Sequence, residues 1–437
     1  SVKEFRELNS KLEKNKIIIH PQFKNFFKKK YYPNFNISYP LSMPKYLIPR
    51  KYNDNLNKIK NNLKTDGILI WNNAYVAYLL NLRSFELSNS TKPFAGLFIP
   101  KKNIKPVLIT KNFKLNKISK ISNNFNIFGE EKFIQFLKQS KLKNIETSYE
   151  FLNLNLYMRL SIFFNLSETR INISKYLGVK TSKEIKNIKS CHIEDGLAVI
   201  KFIIDLKQKN INPKNEYEIS KYLYNKRKEG VNFFRNSFDY ISAFDSNAAI
   251  VHYKPLPNKS LSYKNRNILL IDSGAQYLEG TTDITRVIKI GKKNFSKIKY
   301  SYTHLLKSLI KIENKIFPRD TKSSTIDLYI RNYLSKFKIY YSHGTGHGVG
   351  NFGDVHEKYP IISSRSQDIL TNNNLFSIEP GYYLEGQFGL RLENLYVTKN
   401  SNKCMVLENI TLVPYDLDLV DLNLITNFER KFIKRYH

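Results

Sequence analysis

The sequence predicts an α/β unit over residues 46–178 followed by an α+β unit over residues 179–437, behind a short leading segment, residues 1–45. Three observations predict this. Short apolar strands alternate with helical segments from about residue 46, the pattern of a sheet covered by helices. Near residue 179 the texture changes to a long capped helix and then to paired β segments. The 437 residues are 41% hydrophobic and 14% aromatic, enough for more than one packed core and too apolar for wholesale disorder.

The leading segment is basic and aromatic and contains Pro33, Pro40 and Pro44, so it reads as the remnant of an N-terminal domain and a linker. Asp54–Leu63 has helical spacing. Gly67–Trp71 is a short strand, Ala74–Leu82 a helix, and Ala95–Ile99 and Val107–Thr110 are strands. Thr181 or Ser182 caps the long helix, with Glu184 placed to help at its N-terminus. Ile185, Ile188, Leu197, Ile200, Ile203 and Ile204 form its expected apolar stripe. A second helix covers Glu216–Lys228. Strands follow at Asn267–Gln276, Thr282–Ile290, Leu375–Glu379 and Gly389–Thr398, with helices near 295–315 and 324–336.

No stretch of about 18 apolar residues exists, which argues against a spanning helix. Residues 1–20 read as a charged helix, not a signal peptide. Cys191 and Cys404 supply neither a disulfide framework nor a zinc–cysteine site, and a reducing cytoplasm is the natural setting. The 71 Lys+Arg against 37 Asp+Glu give a net charge of +34. Such a charge suits an anionic partner. It is equally the product of AT-rich codons, since Lys, Asn, Ile, Tyr and Phe are abundant throughout and the only basic cluster is Lys28–Lys30. No specific nucleic acid and no membrane partner is expected. Carboxylates are scarce, so those set in ordered motifs are informative.

Four segments carry chemistry: Ala248–Pro255 with His252; Ile271–Arg286 with Asp272 and Asp283; Ser342–Glu357 with His343, His347 and His356; and Ser377–Asn394 with Glu379, Tyr383, Arg391 and Glu393. A turn near Tyr277–Gly280 would set Asp272 and Asp283 face to face on a hairpin. Their repulsion is relieved by a cation between them, unless both are simply solvated. Glu379 and Glu393 flank a second hairpin, on which Arg391 shares a strand with Glu393 and would pair with a ligand carboxylate; two ordinary surface glutamates would look the same. The glycines from Gly344 to Gly350 let the backbone pass close to a ligand but fit no phosphate loop. Four of the eight histidines fall in these motifs. Four carboxylates and a histidine suit a pair of hard-to-borderline divalent ions such as manganese, which acidify water and polarise a carbonyl. That is hydrolytic chemistry.

At these residues the chain resembles the aminopeptidase P (Xaa-Pro aminopeptidase) branch of the pita-bread metallopeptidases, in its cytosolic three-domain type. The segments IDSGAQYLEGTTDITR, HGTGHGVGNFGDVHE, EPGYY and FGLRLEN carry the likeness, in order. AYVAYLLNLRSFELSNSTKPFAGLFI and LENITLVPYDLDLVD extend it over residues 46–437. The resemblance implies a creatinase-like α/β domain at 46–178 and a pita-bread catalytic domain at 179–437. It implies five ligands for two divalent ions, most simply Mn2+: Asp272, Asp283, His347, Glu379 and Glu393. Glu379 would also act as general base. His252 and His356 would bind substrate, steady the tetrahedral intermediate and pass protons. His343 would line the proline pocket, and Tyr383 and Arg391 would support the site. The implied substrates are peptides with proline second, and the implied reaction is hydrolysis of the N-terminal Xaa-Pro bond. The implied setting is the cytoplasm, and a homodimer is compatible with it.

The likeness has departures. The family type carries a full N-terminal domain, of which residues 1–45 resemble the last helix and linker. Ser84 stands where glycine is usual, and relatives continue past His437; a partial sequence accounts for both ends. A prolidase (Xaa-Pro dipeptidase) and a non-enzymatic pita-bread module binding peptides or nucleic acid remain as alternatives. Such modules lose metal ligands, and none is lost here.

Overall fold

The computed structural model describes residues 1–13, 41–102, 104–111, 123–293 and 296–437. Most of the 1–45 segment, with Lys28–Lys30, lies outside the described residues. The chain forms two compact units, Ser1–Ile173 and Ser174–His437.

The first unit is built on a six-stranded mixed sheet. Its spatial order is Asn126–Phe128, Val107–Thr110, Ala95–Pro100, Gly67–Ile70, Asn144–Thr147 and Asn165–Glu168. Gly67–Ile70 pairs antiparallel with Ala95–Pro100 and parallel with Asn144–Thr147. Every residue of the Gly67–Ile70, Ala95–Pro100 and Val107–Thr110 strands is buried, as expected of strands covered on both faces. The helix predicted over Ala74–Leu82 spans Asn73–Leu80. Asn72 caps its start by accepting from the Ala74 and Tyr75 amides, and Asn81 ends it in the left-handed region at φ 49°.

The second unit opens with the predicted long helix, Ser182–Lys207, started by a capping box in which Thr181 and Glu184 each satisfy the other's backbone amide. Its buried face differs from the expected stripe. Ile185 and Ile188 are buried, but Leu197 and Ile204 are exposed, and Val199, Phe202 and Leu206 take the inner face. The isoleucine-rich composition hides the face, because apolar residues fall on all sides of this helix. Deep in its inner face Asp195 receives two hydrogen bonds from Arg227 of the Glu216–Lys228 helix, at 2.7 and 3.0 Å, and one from the Tyr277 hydroxyl at 2.9 Å. Removing one partner of such a buried pair typically costs about 3–5 kcal/mol, so this clamp fixes both helices to the hairpin that carries the first motif aspartates.

The three-stranded sheet Ile241–Phe244, Ile268–Ser273 and Ile284–Lys289 lies between two cores. Ile268, Leu270 and Val287 pack with Leu305, Leu309, Ile326 and Ile330. Leu269, Ile271 and Ile288 pack with Val199, Phe202, Ile219 and Leu223. The near-continuous apolar run before Asp272 is explained by this two-sided burial. A six-stranded sheet follows, in the order Phe317–Pro318, Cys404–Asn409, Asn394–Ser401, Leu375–Ile378, Gly346–Gly348 and Glu357–Ile362. Gly381–Leu384 and Phe388–Arg391 form a hairpin beside it.

One half-buried acid, Glu313, lies outside the motifs. Glu313 ends the Ser296–Glu313 helix and accepts from the Asn409 amide at 3.0 Å. Burial pushes its carboxyl up to about 7. The folded state therefore keeps a proton that the unfolded chain releases, and stability from this group falls as pH rises from about 4.5 to about 7. Gln keeps the acceptor and removes the charge. Glu313→Gln is expected to exceed the parent in stability at pH 8 by about 1–3 kcal/mol and to match it near pH 5. Thermal midpoints at the two pH values check this; an equal difference at both would remove the assignment.

Candidate metal centre

Asp272 lies near the end of the Ile268–Ser273 strand, opposite Thr285. Asp283 precedes the return strand, two residues from Thr285, so the two aspartates are diagonal neighbours on one face rather than directly opposed. The pairing is interrupted at Gly274 but resumes in the same register, with Tyr277 opposite Gly280, so the turn itself sets Asp272 opposite Thr285 and leaves Asp283 opposite Gly274. The expected turn at 277–280 is present.

His347 sits mid-strand between Gly346 and Gly348. A Cβ at Gly346 would come within 1.8 Å of the Ser377 carbonyl oxygen, and one at Gly348 within 2.4 Å of the Tyr359 carbonyl oxygen. These glycines serve close strand packing, and Gly344 and Gly346 also line the cleft around the cluster. Glu379 follows the Leu375–Ile378 strand, its amide donating to Thr345 O at 2.8 Å. Arg391 ends the Phe388–Arg391 strand, and Glu393 occupies the two-residue break before the Asn394–Ser401 strand, not the same strand as Arg391.

These elements bring the predicted residues together. Asp272, Asp283 and Glu393 place donor atoms within 4.8 Å of one another; so do His347, Glu379 and Glu393, and so do Asp283, His347 and His356. Glu393 belongs to the first two triads, so the geometry is that of two adjoining sites with a shared carboxylate. The His347 Nδ1 faces Gly348 O at 3.0 Å, which leaves Nε2 turned to Glu379 Oε1 at 3.4 Å and Asp283 Oδ2 at 3.6 Å. Burial, then His356, lowers His347 to about 3. A neutral ring thus presents a lone pair to two carboxylates, an arrangement that a cation resolves.

The acids show the same strain. Burial raises Asp283 well above the ordinary aspartate value, and Glu393, Asp272 and Glu379 add repulsion. Burial, with repulsion from Glu379 and Asp272, raises Glu393 likewise. Burial brings Glu379 up to about 8, against the pull of Arg391. Asp272 Oδ1 is buried with no hydrogen-bond partner, while Oδ2 accepts from Arg391 at 2.5 Å. An orphaned carboxylate oxygen, crowded acids and a lone-pair-presenting imidazole together fit two divalent cations held by oxygen and nitrogen donors.

Around this cluster runs a cleft of about 580 Å3. His252, His343 and His356 line it, as do Phe238, Ile241, Val251 and Ile361. Arg391 links the centre to the wall: it donates to Tyr383 at 2.8 Å, and the Tyr383 hydroxyl meets His343 Nε2 at 2.9 Å. Burial lowers His343 to about 4, so its ring is a neutral acceptor for that hydroxyl. Every residue singled out from the sequence thus falls at one site.

The motif reading missed Thr285, Ser377 and the apolar wall. Thr285 donates its hydroxyl to Glu393 Oε2 at 2.8 Å and accepts from Arg391 at 3.3 Å. Ser377 Oγ accepts from the His347 amide at 3.1 Å. Both lie two residues from a motif acid along the chain, Thr285 from Asp283 and Ser377 from Glu379, and an i, i+2 rule applied to those acids finds them.

Residues 186–400 match the model of metallopeptidase family M24. The chain is 39% identical over 287 residues to a probable Xaa-Pro aminopeptidase P of Arthroderma gypseum, covering 62% of this chain and 45% of that protein. It is 32% identical over 405 residues to one of Ajellomyces capsulatus, covering 86% of this chain and 65% of that protein. The chain therefore spans about half to two thirds of the length of these relatives. Among solved structures, the X-prolyl aminopeptidase of Caenorhabditis elegans, described as a cytosolic enzyme with a di-nuclear active site, matches with a TM-score of 0.89 at 22% identity, over 100% of this chain and 74% of that one. The Xaa-Pro dipeptidase of Bacillus anthracis matches with a TM-score of 0.65 at 23% identity, over 84% of this chain and 98% of that one. The shared fold, the matched domain and the ordered motifs agree: the chain carries a metallopeptidase family M24 domain and has the pita-bread fold.

Proposed function

We propose that the chain is an Xaa-Pro aminopeptidase that hydrolyses the bond between an N-terminal residue and a following proline. The observation that carries this is the pair of donor triads sharing Glu393 at the floor of a half-apolar cleft. Asp272, Asp283, His347, Glu379 and Glu393 would hold two divalent cations, with Mn2+ suited to four carboxylates and one imidazole. When bound, the cations supply Lewis acidity for the scissile carbonyl and acidify a water.

The remaining steps belong to the side chains. Glu379, ionised once the cations are in place, takes the proton of the attacking water and returns it to the departing proline nitrogen. Burial lowers His356, so it is a neutral imidazole able to hydrogen-bond the tetrahedral oxygen or hand on a proton. His252, which lines the same cleft, serves the same oxygen. His343, fixed by Tyr383, forms the proline pocket with the apolar wall. Cytoplasmic placement is part of this reading: both cysteines are free thiols, and the C. elegans enzyme is cytosolic. Among the described residues no helix is long and apolar enough to cross a membrane.

The test is a Mn2+-supplemented assay on an Xaa-Pro-Xaa tripeptide beside an Xaa-Pro dipeptide, with a chelator control. Chelator-sensitive release of the first residue from the tripeptide alone is expected. Cleavage of the dipeptide alone would make the chain a prolidase, and silence on both would leave a binding module.

A further inference from the structure

We propose that Gln276 and Thr281 are positioning residues that set His356 against the aspartate hairpin; the inference rests on the peptidase reading above. His356 is the last residue of a loop. The strand pairing passes from His347 with Ile361 to Gly348 with Glu357, so residues 349–356 leave the ladder between Gly348 and Glu357. A loop of this length has many closed shapes. Internally this one is tied by the Gly350 amide to Asp354 O at 2.7 Å, and it holds Phe352 fully buried at φ 49°, the left-handed region. A bulky residue stays in that region only where its surroundings force it.

The aspartate hairpin supplies one such constraint. Gln276 follows Asp272 on the outgoing side, and Thr281 precedes Asp283 on the return. Both are buried, at 1% and 0% exposure. The Gln276 Nε2 donates to Gly353 O at 2.7 Å. The Gly353 amide donates to Thr281 Oγ1 at 3.1 Å. Thr281 Oγ1 in turn donates to Gln276 Oε1 at 2.9 Å. The ring of contacts is closed, and both backbone groups of one loop residue are held. Gly353 lies three residues before His356, and the two side chains that hold it lie between Asp272 and Asp283, paired across the hairpin on the turn side. A single cluster therefore fixes the distance between His356 and the acids. Glu357 adds a second anchor beyond it, since Lys180 donates to Glu357 Oε2 at 2.7 Å inside the protein.

Removing the Gln276 amide leaves the loop anchored at Glu357 and takes the donor from Gly353 O, loosening the segment just before His356. His356 would move while the ligand side chains stay where their strands put them. A shift of about 1 Å at a catalytic group costs on the order of 10²-fold in rate. Gln276→Leu and Thr281→Val should each lower kcat on an Xaa-Pro-Xaa tripeptide by roughly 10- to 100-fold. KM and Mn2+ affinity by calorimetry should stay within about threefold, and Thr281→Ser should restore the rate. In a His356→Ala background, Gln276→Leu should cost nothing further, because the group it positions is gone. An additive loss in that background, parallel loss of Mn2+ affinity, or an unchanged kcat would overturn the proposal.

Hydrogen exchange across residues 350–356 and the rate of diethyl pyrocarbonate labelling of His356 read the clamp without turnover. Both should rise in Gln276→Leu and Thr281→Val and stay at the parent level in Thr281→Ser. If the parent cleaves neither peptide, the peptidase reading falls, and these two measurements alone judge the clamp; no change in them would end it.

Discussion

Asp283→Ala and His347→Ala are expected to abolish turnover while the fold survives. Asp283 joins two of the three donor triads, and His347 turns its lone pair toward Asp283 and Glu379. The loss should exceed the roughly 10- to 100-fold seen when an outer partner of a metal ligand is removed. The stability readout is sharper than activity, because its sign is fixed by the acids. In the metal-free protein Asp283, Glu379 and Glu393 all hold protons more tightly than in the unfolded chain, Glu379 with a value of about 8. Their contribution falls as pH rises from about 4 through about 8. The chelated parent should therefore melt higher at pH 5 than at pH 8, and Mn2+ should restore the loss at pH 8. A hundredfold excess over the dissociation constant corresponds to about 2.7 kcal/mol. Asp283→Ala removes one repelling charge, so its chelated form should be less pH-sensitive than the parent and should gain little from Mn2+. Full activity in either variant, or Mn2+ stabilisation equal to the parent's, would sink the metal assignment.

The site was legible because its chemistry is carried by scarce residue types. Carboxylates and histidines are few in a chain of net charge +34, and their fixed order with glycine and proline leaves little freedom. The α/β unit was legible for a different reason: strands such as Gly67–Ile70 and Ala95–Pro100 are buried along their whole length, so they read as plain apolar runs. What stayed hidden is what depends on tertiary partners. The inner face of the Ser182–Lys207 helix was misread at Leu197 and Ile204, because isoleucine, leucine and valine occur all round it. Asp272 and Asp283 were expected face to face, but the turn at Tyr277–Gly280 sets Asp272 opposite Thr285 and Asp283 opposite Gly274, where a Cβ would meet the Thr282 carbonyl oxygen at 2.1 Å. Thr285 and Ser377 could be found only by their spacing from the motif acids, and Gln276 and Thr281 are uncharged residues with no chemical signature until their partner Gly353 is known. The glycines around His347 were noticed, but their reason, strands packed against Ser377 and Tyr359, is visible only in three dimensions.

His356→Ala should lower kcat by about 10²–10⁴-fold, the usual size for one lost acid–base or oxyanion partner, while Mn2+ stoichiometry stays at two. The prediction separates His356 from His347, although both can be grouped with Asp283 as metal donors. Their rings meet edge to face at 4.1 Å, so proximity alone does not distinguish them. Exposure and orientation do. The His347 side chain is only 14% exposed and points Nε2 at two carboxylates, whereas His356 is open to the cleft, where a substrate would lie. A ring in that place can face a cation or a substrate. Metal counting decides between the two. If His356→Ala binds a single Mn2+, or loses Mn2+ affinity in proportion to activity, His356 is a ligand and the donor set grows to six. If two Mn2+ remain and kcat alone collapses, the imidazole acts on the substrate, and the loop that carries it is part of the catalytic machinery rather than of the metal cage.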